Sequence, residues 1–259
     1  MKKVFSILLV VMLACAMLPV GSVLAQDPIT DTLGPVTSAV VVTPSIVLLN
    51  GQAVVTATVD DTTTGGSLIK SAEYSLDNVN WVQMAAADTA FDAISEGVTA
   101  TFTAATLGLS QVCVRGTDVL DNVGAPVCAS FTEYAFKGFK PPVRMGVANK
   151  ATAGQAIPLK WQLTDAKNKP IRDKASFVAV KSYLVDCTTL TGGPTTAVTE
   201  GGPGKSGLKY TGGYWHFNWK TPKAYAGTCR KMFVAFNGGQ MSPEVLFVFK
   251  DIKPIKPKK

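Results

Sequence analysis

Hydrophobic and polar residues alternate in short runs along most of the chain. From Ala53 to Val59 the pattern puts Val55, Ala57 and Val59 on one face. From Val98 to Thr103 it turns Val98, Ala100 and Phe102 inward and the threonines outward. Val112, Val114, Val127, Ala129 and Phe131 continue the same logic. In the second half, strands are predicted near 143–147, 157–163, 177–185, 214–219, 229–236 and 244–249. Tyr214 to Trp219 alternates most strongly, with Trp215, Phe217 and Trp219 on one side and His216 and Asn218 on the other. Residues 188–207, rich in Gly, Thr and Pro, predict a long loop. Gly, Pro, Asp and Asn punctuate the runs, and no long stretch follows the 3.6-residue period of a helix. The prediction is an all-β chain of two tandem antiparallel β-sandwiches.

One run departs from this pattern. Lys2 and Lys3 precede an almost continuous apolar stretch from Val4 to Val20, which ends at Val23-Leu24-Ala25. These are the parts of a secretory signal peptide, 1–25, with cleavage expected after Ala25. No second run reaches spanning length, so the mature chain is expected to have no integral membrane anchor. The remaining boundaries follow from composition. Residues 26–36 read as a flexible N-terminal segment, 37–135 as the first sandwich, and 136–142, with Gly138 and the Pro141-Pro142 pair, as a semi-rigid linker. The second sandwich spans 143–250, and 251–259 is a Lys/Pro-rich tail expected to be disordered.

Cysteine usage agrees with export. Without Cys15 of the leader, Cys113, Cys128, Cys187 and Cys229 remain, and four cysteines in an exported chain read as two disulfides with three connectivities. Cys113–Cys128 and Cys187–Cys229 keep each bridge inside one predicted domain. Residues 113 and 128 are also equidistant from the centre of the Asp118–Gly124 loop, so a hairpin sets them opposite one another.

Charge changes the picture more than any motif. The whole chain carries +7, but residues 26–135 hold twelve acids against Lys70 and Arg115, a net −10. Residues 136–259 hold 21 bases and six acids, a net +15. The mature chain is therefore dipolar rather than weakly basic. Such a chain can attract a second copy through acidic–basic contacts. Its basic half can also hold an anionic polymer of the envelope or matrix, glycan included, or extracellular DNA without sequence specificity. Lys250 and the cations of the tail that follows it, Lys253, Lys256, Lys258 and Lys259, are the first candidates for such contacts.

Catalytic chemistry finds little material. The one histidine, His216, rules out sites that need two imidazoles. It lies in an alternating strand, and no nucleophile elbow, phosphate loop or dinucleotide fingerprint is present. The chain is expected not to be an enzyme and to carry no cofactor. Asp60, Asp61, Asp118 and Asp121 lie at strand ends, where hard oxygen ligands suit calcium, but without the spacing of a dedicated loop they are weak candidates. Tyr210, Tyr214 and Tyr225 are candidate surface aromatics for stacking on sugar rings.

Two resemblances sharpen the fold. Ala72-Glu73-Tyr74-Ser75-Leu76-Asp77 with Trp81, and Cys113-Val114-Arg115-Gly116-Thr117-Asp118 with Asp121-Asn122, resemble the C–C′ and F–G segments of bacterial immunoglobulin-like domains. The second half resembles the PxKF domain of exported bacterial surface proteins. Pro158-Leu159-Lys160-Trp161 stands for its naming motif, with Trp where the family usually has Phe. Ala153-Gly154-Gln155, Asp186-Cys187, Trp219-Lys220-Thr221, Ala226-Gly227-Thr228-Cys229-Arg230 and Phe247-Val248-Phe249-Lys250 continue the likeness. It implies a disulfide between Cys187 and Cys229 and brings no activity. The expected role is a non-catalytic secreted protein, cell-surface associated, attached electrostatically through its basic half. A carbohydrate-binding or adhesion module is the alternative, and a self-associating filament subunit the third reading.

Overall fold

The computed structural model describes residues 31–202 and 207–250. The expected signal peptide, residues 26–30, and the tail with Lys253, Lys256, Lys258 and Lys259 lie outside the described residues.

Seventeen strands lie among the described residues. The first sandwich contains β1 (Val36–Thr43), β2 (Ile46–Leu48), β3 (Gln52–Asp60), β4 (Ile69–Ser75), β5 (Val82–Gln83), β6 (Ala85–Ala86), β7 (Ser95–Thr103), β8 (Gly108–Asp118) and the first part of β9 (Val127–Phe139). The second contains β10 (Asn149–Thr152), β11 (Ala156–Thr164), β12 (Phe177–Val185), β13 (Val198–Thr199), β14 (Lys209–Thr211), β15 (Tyr214–Lys220), β16 (Cys229–Phe236) and β17 (Val245–Lys250). Three sheets result, in the orders β1-β3-β7-β6, β10-β17-β16-β12-β13 and β14-β15-β11-β9-β8-β4-β5. The pairs are antiparallel except β2 with β9 and β10 with β17. The all-β tandem sandwich read from the alternation is the observed architecture.

Most predicted inward positions are buried, but Ala100 and Ala129 are only half-buried and Val127, where β9 begins, is exposed. Val55, Ala57, Val59, Val98, Phe102, Val112, Val114 and Phe131 form the first core. Trp161, Trp215, Phe217, Trp219, Phe247 and Phe249 form the second. The Trp219 ring meets Phe247 edge-on at 5.1 Å between centroids. Cys113 faces Cys128 across the β8–β9 ladder and the two are bonded. Cys187 is bonded to Cys229, where β12 and β16 end side by side.

Four predicted stretches are drawn differently. Residues 136–142 are not all linker. Val127 to Glu133 of β9 pairs with β8, and Ala135, Phe136 and Phe139 of the same strand pair with β11. One strand thus runs through both sandwiches, and Gly138, with φ of +82°, bends it without breaking it. β2 binds the same seam: Val47 enters the first core, while its neighbours Ile46 and Leu48 enter the second. Tyr134 of β9, fully buried, donates its hydroxyl to the Ser176 carbonyl in the second sandwich at 3.1 Å. Nearby, the Gly238 turn approaches β3 so closely that an added Cβ would lie 2.4 Å from the Gln52 carbonyl oxygen.

The strand expected near 143–147 is a pair of turns, with Gly146 at φ of +74°, and the strand forms later as β10. Only Val143 of that run is deeply buried, so its apolar pattern serves one anchor rather than a ladder. Among the described residues of the long loop expected over 188–207, a 3-10 turn, Pro194–Thr196, leads into β13. Residues 31–35, read as part of a flexible segment, are fastened to the end of the first sandwich. Asn122 Nδ2 donates to the Asp31 carbonyl at 3.2 Å. A Cβ on Gly124 would lie 2.0 Å from the Pro35 carbonyl oxygen, so only glycine admits that approach.

Candidate functional site

The weak calcium candidates separate in space. Asp61, just after β3, and Asp118, at the end of β8, meet Asp31 so that one carboxylate oxygen from each lies within 4.8 Å of the others. Asp61 and Asp118 are fully buried. Asp60 instead accepts from Thr62 and Ser95, and Asp121 pairs with Lys70 at the surface. No Lys or Arg among the described residues forms an ion pair with the three clustered acids.

The oxygens of the cluster are used by their own loops. Asp118 accepts from the Leu120 and Asn122 N–H groups and from Asn122 Nδ2, each at 2.9 Å. Asp61 accepts from the Thr64 hydroxyl at 2.5 Å and the Ser67 N–H at 2.7 Å. Ser67 in turn donates its hydroxyl to Asp31 at 2.5 Å, and this bond, with the Leu33 N–H, holds the Asp31 carboxyl below its ordinary pKa. The cluster ties three segments at one end of the first sandwich. Asp31 escaped the sequence reading because it lies in the stretch taken as flexible; the Gly34-Pro35 pair just before β1 is the signal that it is fixed.

The candidate sugar-stacking tyrosines do not stand free. Each ring carries a cation over one face: Lys160 over Tyr214 at 4.2 Å, Arg172 over Tyr210 at 5.6 Å and Arg230 over Tyr225 at 4.0 Å. Tyr210 also packs edge-on against Trp215, and its hydroxyl is buried. Tyr225 donates to Glu200 at 2.9 Å, and burial first, then Glu200, pushes its pKa up. Glu200 also accepts from Ser182, whose hydroxyl takes the Arg230 Nε–H at 2.8 Å. Composition alone did not reveal this buried Glu–Ser–Arg–Tyr network, since its members are scattered over β12, β16 and the turns beside them. It satisfies a buried arginine and offers no open face.

Of the motif residues, Trp161 is fully buried in the second core and Lys160 points outward, half-buried. Pro158 is exposed. Lys160 of β11, His216 of β15 and Lys209 of β14 lie in one row across three strands, with no acid in register beside the histidine.

The basic character concentrates elsewhere as well. A surface groove of about 730 Å³ opens between the start of β11 and the β10–β17 edge. Arg144, Lys150 and Lys250 line it, all exposed, and no carboxylate is among the described residues around it. Lys250 is thus the one tail candidate within the described residues, and it has a place in this groove. Across the second sandwich, Lys231 with Glu244 at 3.3 Å is the single salt bridge among the described residues. Arg230 is held inside the buried network, and Lys160 and Arg172 lie over tyrosine rings; the exposed cations of the groove have no acid beside them.

No family model matches the chain, and no curated protein matches it. Similar solved structures are tandem immunoglobulin and fibronectin type III domains. An I-band fragment of titin, I67–I69, is 11% identical over 85% of this chain with a TM-score of 0.33. This chain spans 64% of that fragment's length. An N-terminal eight-domain fragment of Down syndrome cell adhesion molecule is 11% identical over 86% of this chain and 25% of its own, at a TM-score of 0.30. Fibronectin(III)-like modules of CbhA from Clostridium thermocellum are 11% identical over 85% of this chain and 99% of theirs, also at 0.30. At such identities and scores these likenesses carry no statement about function.

Proposed function

We propose that this chain is a non-catalytic extracellular module, exported through the leader at 1–25, that attaches to anionic surface polymers through its second sandwich. The supporting observation is the net positive charge of that half, which includes Arg144, Lys150 and Lys250 around one groove with no carboxylate among its described lining residues. The residue likeness to the PxKF domain of exported bacterial surface proteins fits the same setting. So do the two disulfides, which persist in oxidising compartments. Among the described residues, no helix is long and apolar enough to cross a membrane.

Attachment of this kind is governed by screening. Exposed charges separated by more than about 8 Å lose most of their attraction at physiological ionic strength, and the loss grows with added salt. The chain should therefore be retained on purified envelope and on an immobilised polyuronate at low salt, and should elute steeply as salt rises. Retention indifferent to ionic strength, or none at low salt, refutes the reading. Size-exclusion at the same two salt levels separates polymer binding from association of copies through their acidic and basic halves.

A further inference from the structure

Strand β9 stops at Phe139, opposite Trp161 of β11. Among the described residues, the first half of β11, Ala156–Lys160, consequently pairs with β15 on one side and with no strand on the other. The Lys140 N–H donates to the Lys160 carbonyl at 2.7 Å, so even-numbered residues of β11 direct their backbone groups toward the open side. Ala156 offers a donor and an acceptor there, and Pro158 an acceptor alone. This position explains how the motif proline is tolerated inside a strand: its missing N–H would have met no partner. Facing it in the other sheet, β10 is an outer strand with one side unpaired.

The groove lies between these two open edges. Val143 and Phe247, both deeply buried, form its floor with the half-buried Ala151 and Ile157. Arg144, Lys150 and Lys250 stand at its rim. A strand edge presents donors and acceptors at the peptide repeat, which a polysaccharide does not match. An apolar floor beneath a cationic rim suits a chain whose side chains alternate between the two.

We propose that this groove takes an extended acidic peptide segment, added as a further strand along β10, with apolar side chains on the floor and Asp or Glu at the rim. The occupant is a segment of another protein with that alternation. The tail of this chain is excluded by charge, since Lys253, Lys256, Lys258 and Lys259 against one Asp251 share the sign of the rim. At about 3.3 Å per residue, β10 accommodates roughly four to five residues of such a peptide. The proposal stands apart from polymer attachment, which needs only free charge.

The test is fluorescence anisotropy of a labelled peptide alternating Val and Asp, titrated with the full chain. Saturable binding is expected, weakened by about tenfold or more in Lys150→Glu/Lys250→Glu, whose exposed sites leave the fold intact. Two further peptides carry N-methyl groups on every second amide, one in each register. One of them should lose binding and the other keep it, because only one set of amides faces the edge. Equal binding of both, or equal binding of a peptide alternating Val and Lys, overturns the proposal. No peptide binding alongside salt-sensitive retention on polyuronate also overturns it, assigns the groove to glycan and leaves the attachment reading standing. Peptide binding with no retention on polyanions has the opposite meaning.

Discussion

Replacing Cys187 and Cys229 together by alanine opens the longer of the two covalent loops, 42 residues against 15 for Cys113–Cys128. Cross-linking removes freedom from the unfolded chain in proportion to the logarithm of loop length, giving about 4 kcal/mol for the longer loop and about 3 kcal/mol for the shorter. At about 2–4 °C per kcal/mol for a chain of this size, the Cys187→Ala/Cys229→Ala variant should melt roughly 10 °C or more below the parent. The Cys113→Ala/Cys128→Ala variant should lose less. Calorimetry on both, beside the parent, reads the order and the size. Because β9 belongs to both sandwiches, each variant is also expected to melt in one transition. A shift of less than about 3 °C for the longer loop refutes the entropic account. Two resolved transitions, with only the second sandwich displaced, refute the coupling through β9.

Two other substitutions test single groups. Asp118→Ala strips three donors of their acceptor at the end of β8 and should cost about 1–3 kcal/mol, read as a lowered denaturation midpoint at unchanged slope. Glu133 is buried on β9, and desolvation raises its pKa above the ordinary 4.5, against the hydroxyl bond from Ser110. Its protonated form therefore favours the fold: that contribution is complete below 4.5 and is lost as pH rises through the raised folded value. Glu133→Gln should accordingly stabilise the protein at neutral pH and make little difference in acid, and stability measured across pH checks the crossover. A gain that persists unchanged in acid contradicts the sign.

The sandwich class was legible because its signal is local. Alternation at Val55–Val59, Val98–Phe102 and Trp215–Trp219 names the buried face directly, and cysteine position within two hydrophobic blocks gave the bridges. The seam was not legible. Gly138 and Pro141-Pro142 carry the composition of a linker, yet a strand continues through Gly138, because Phe136 and Phe139 find partners on β11 that no local pattern announces. The site features failed in the same way. Asp61 and Asp118 are visible as loop acids, but their meeting with Asp31 depends on how three distant segments close. The tyrosines could be counted as aromatic, whereas the cations that cover them arrive from other segments of the chain. Lys250 was chosen as part of a basic tail, and its place in a groove beside Arg144 and Lys150 is a tertiary fact.

The shared strand also bears on the order in which the chain acquires its structure. Val127 to Glu133 is held against β8 and pinned by the Cys113–Cys128 bond once the first sandwich has formed. The remainder of β9 then projects as a ready-made edge onto which β11 can lay itself. Synthesis delivers this chain amino end first, so the earlier sandwich supplies a template for the later one and shortens its search for long-range contacts. A second sandwich severed after Phe139 would have to assemble without that template, one strand short in its own sheet.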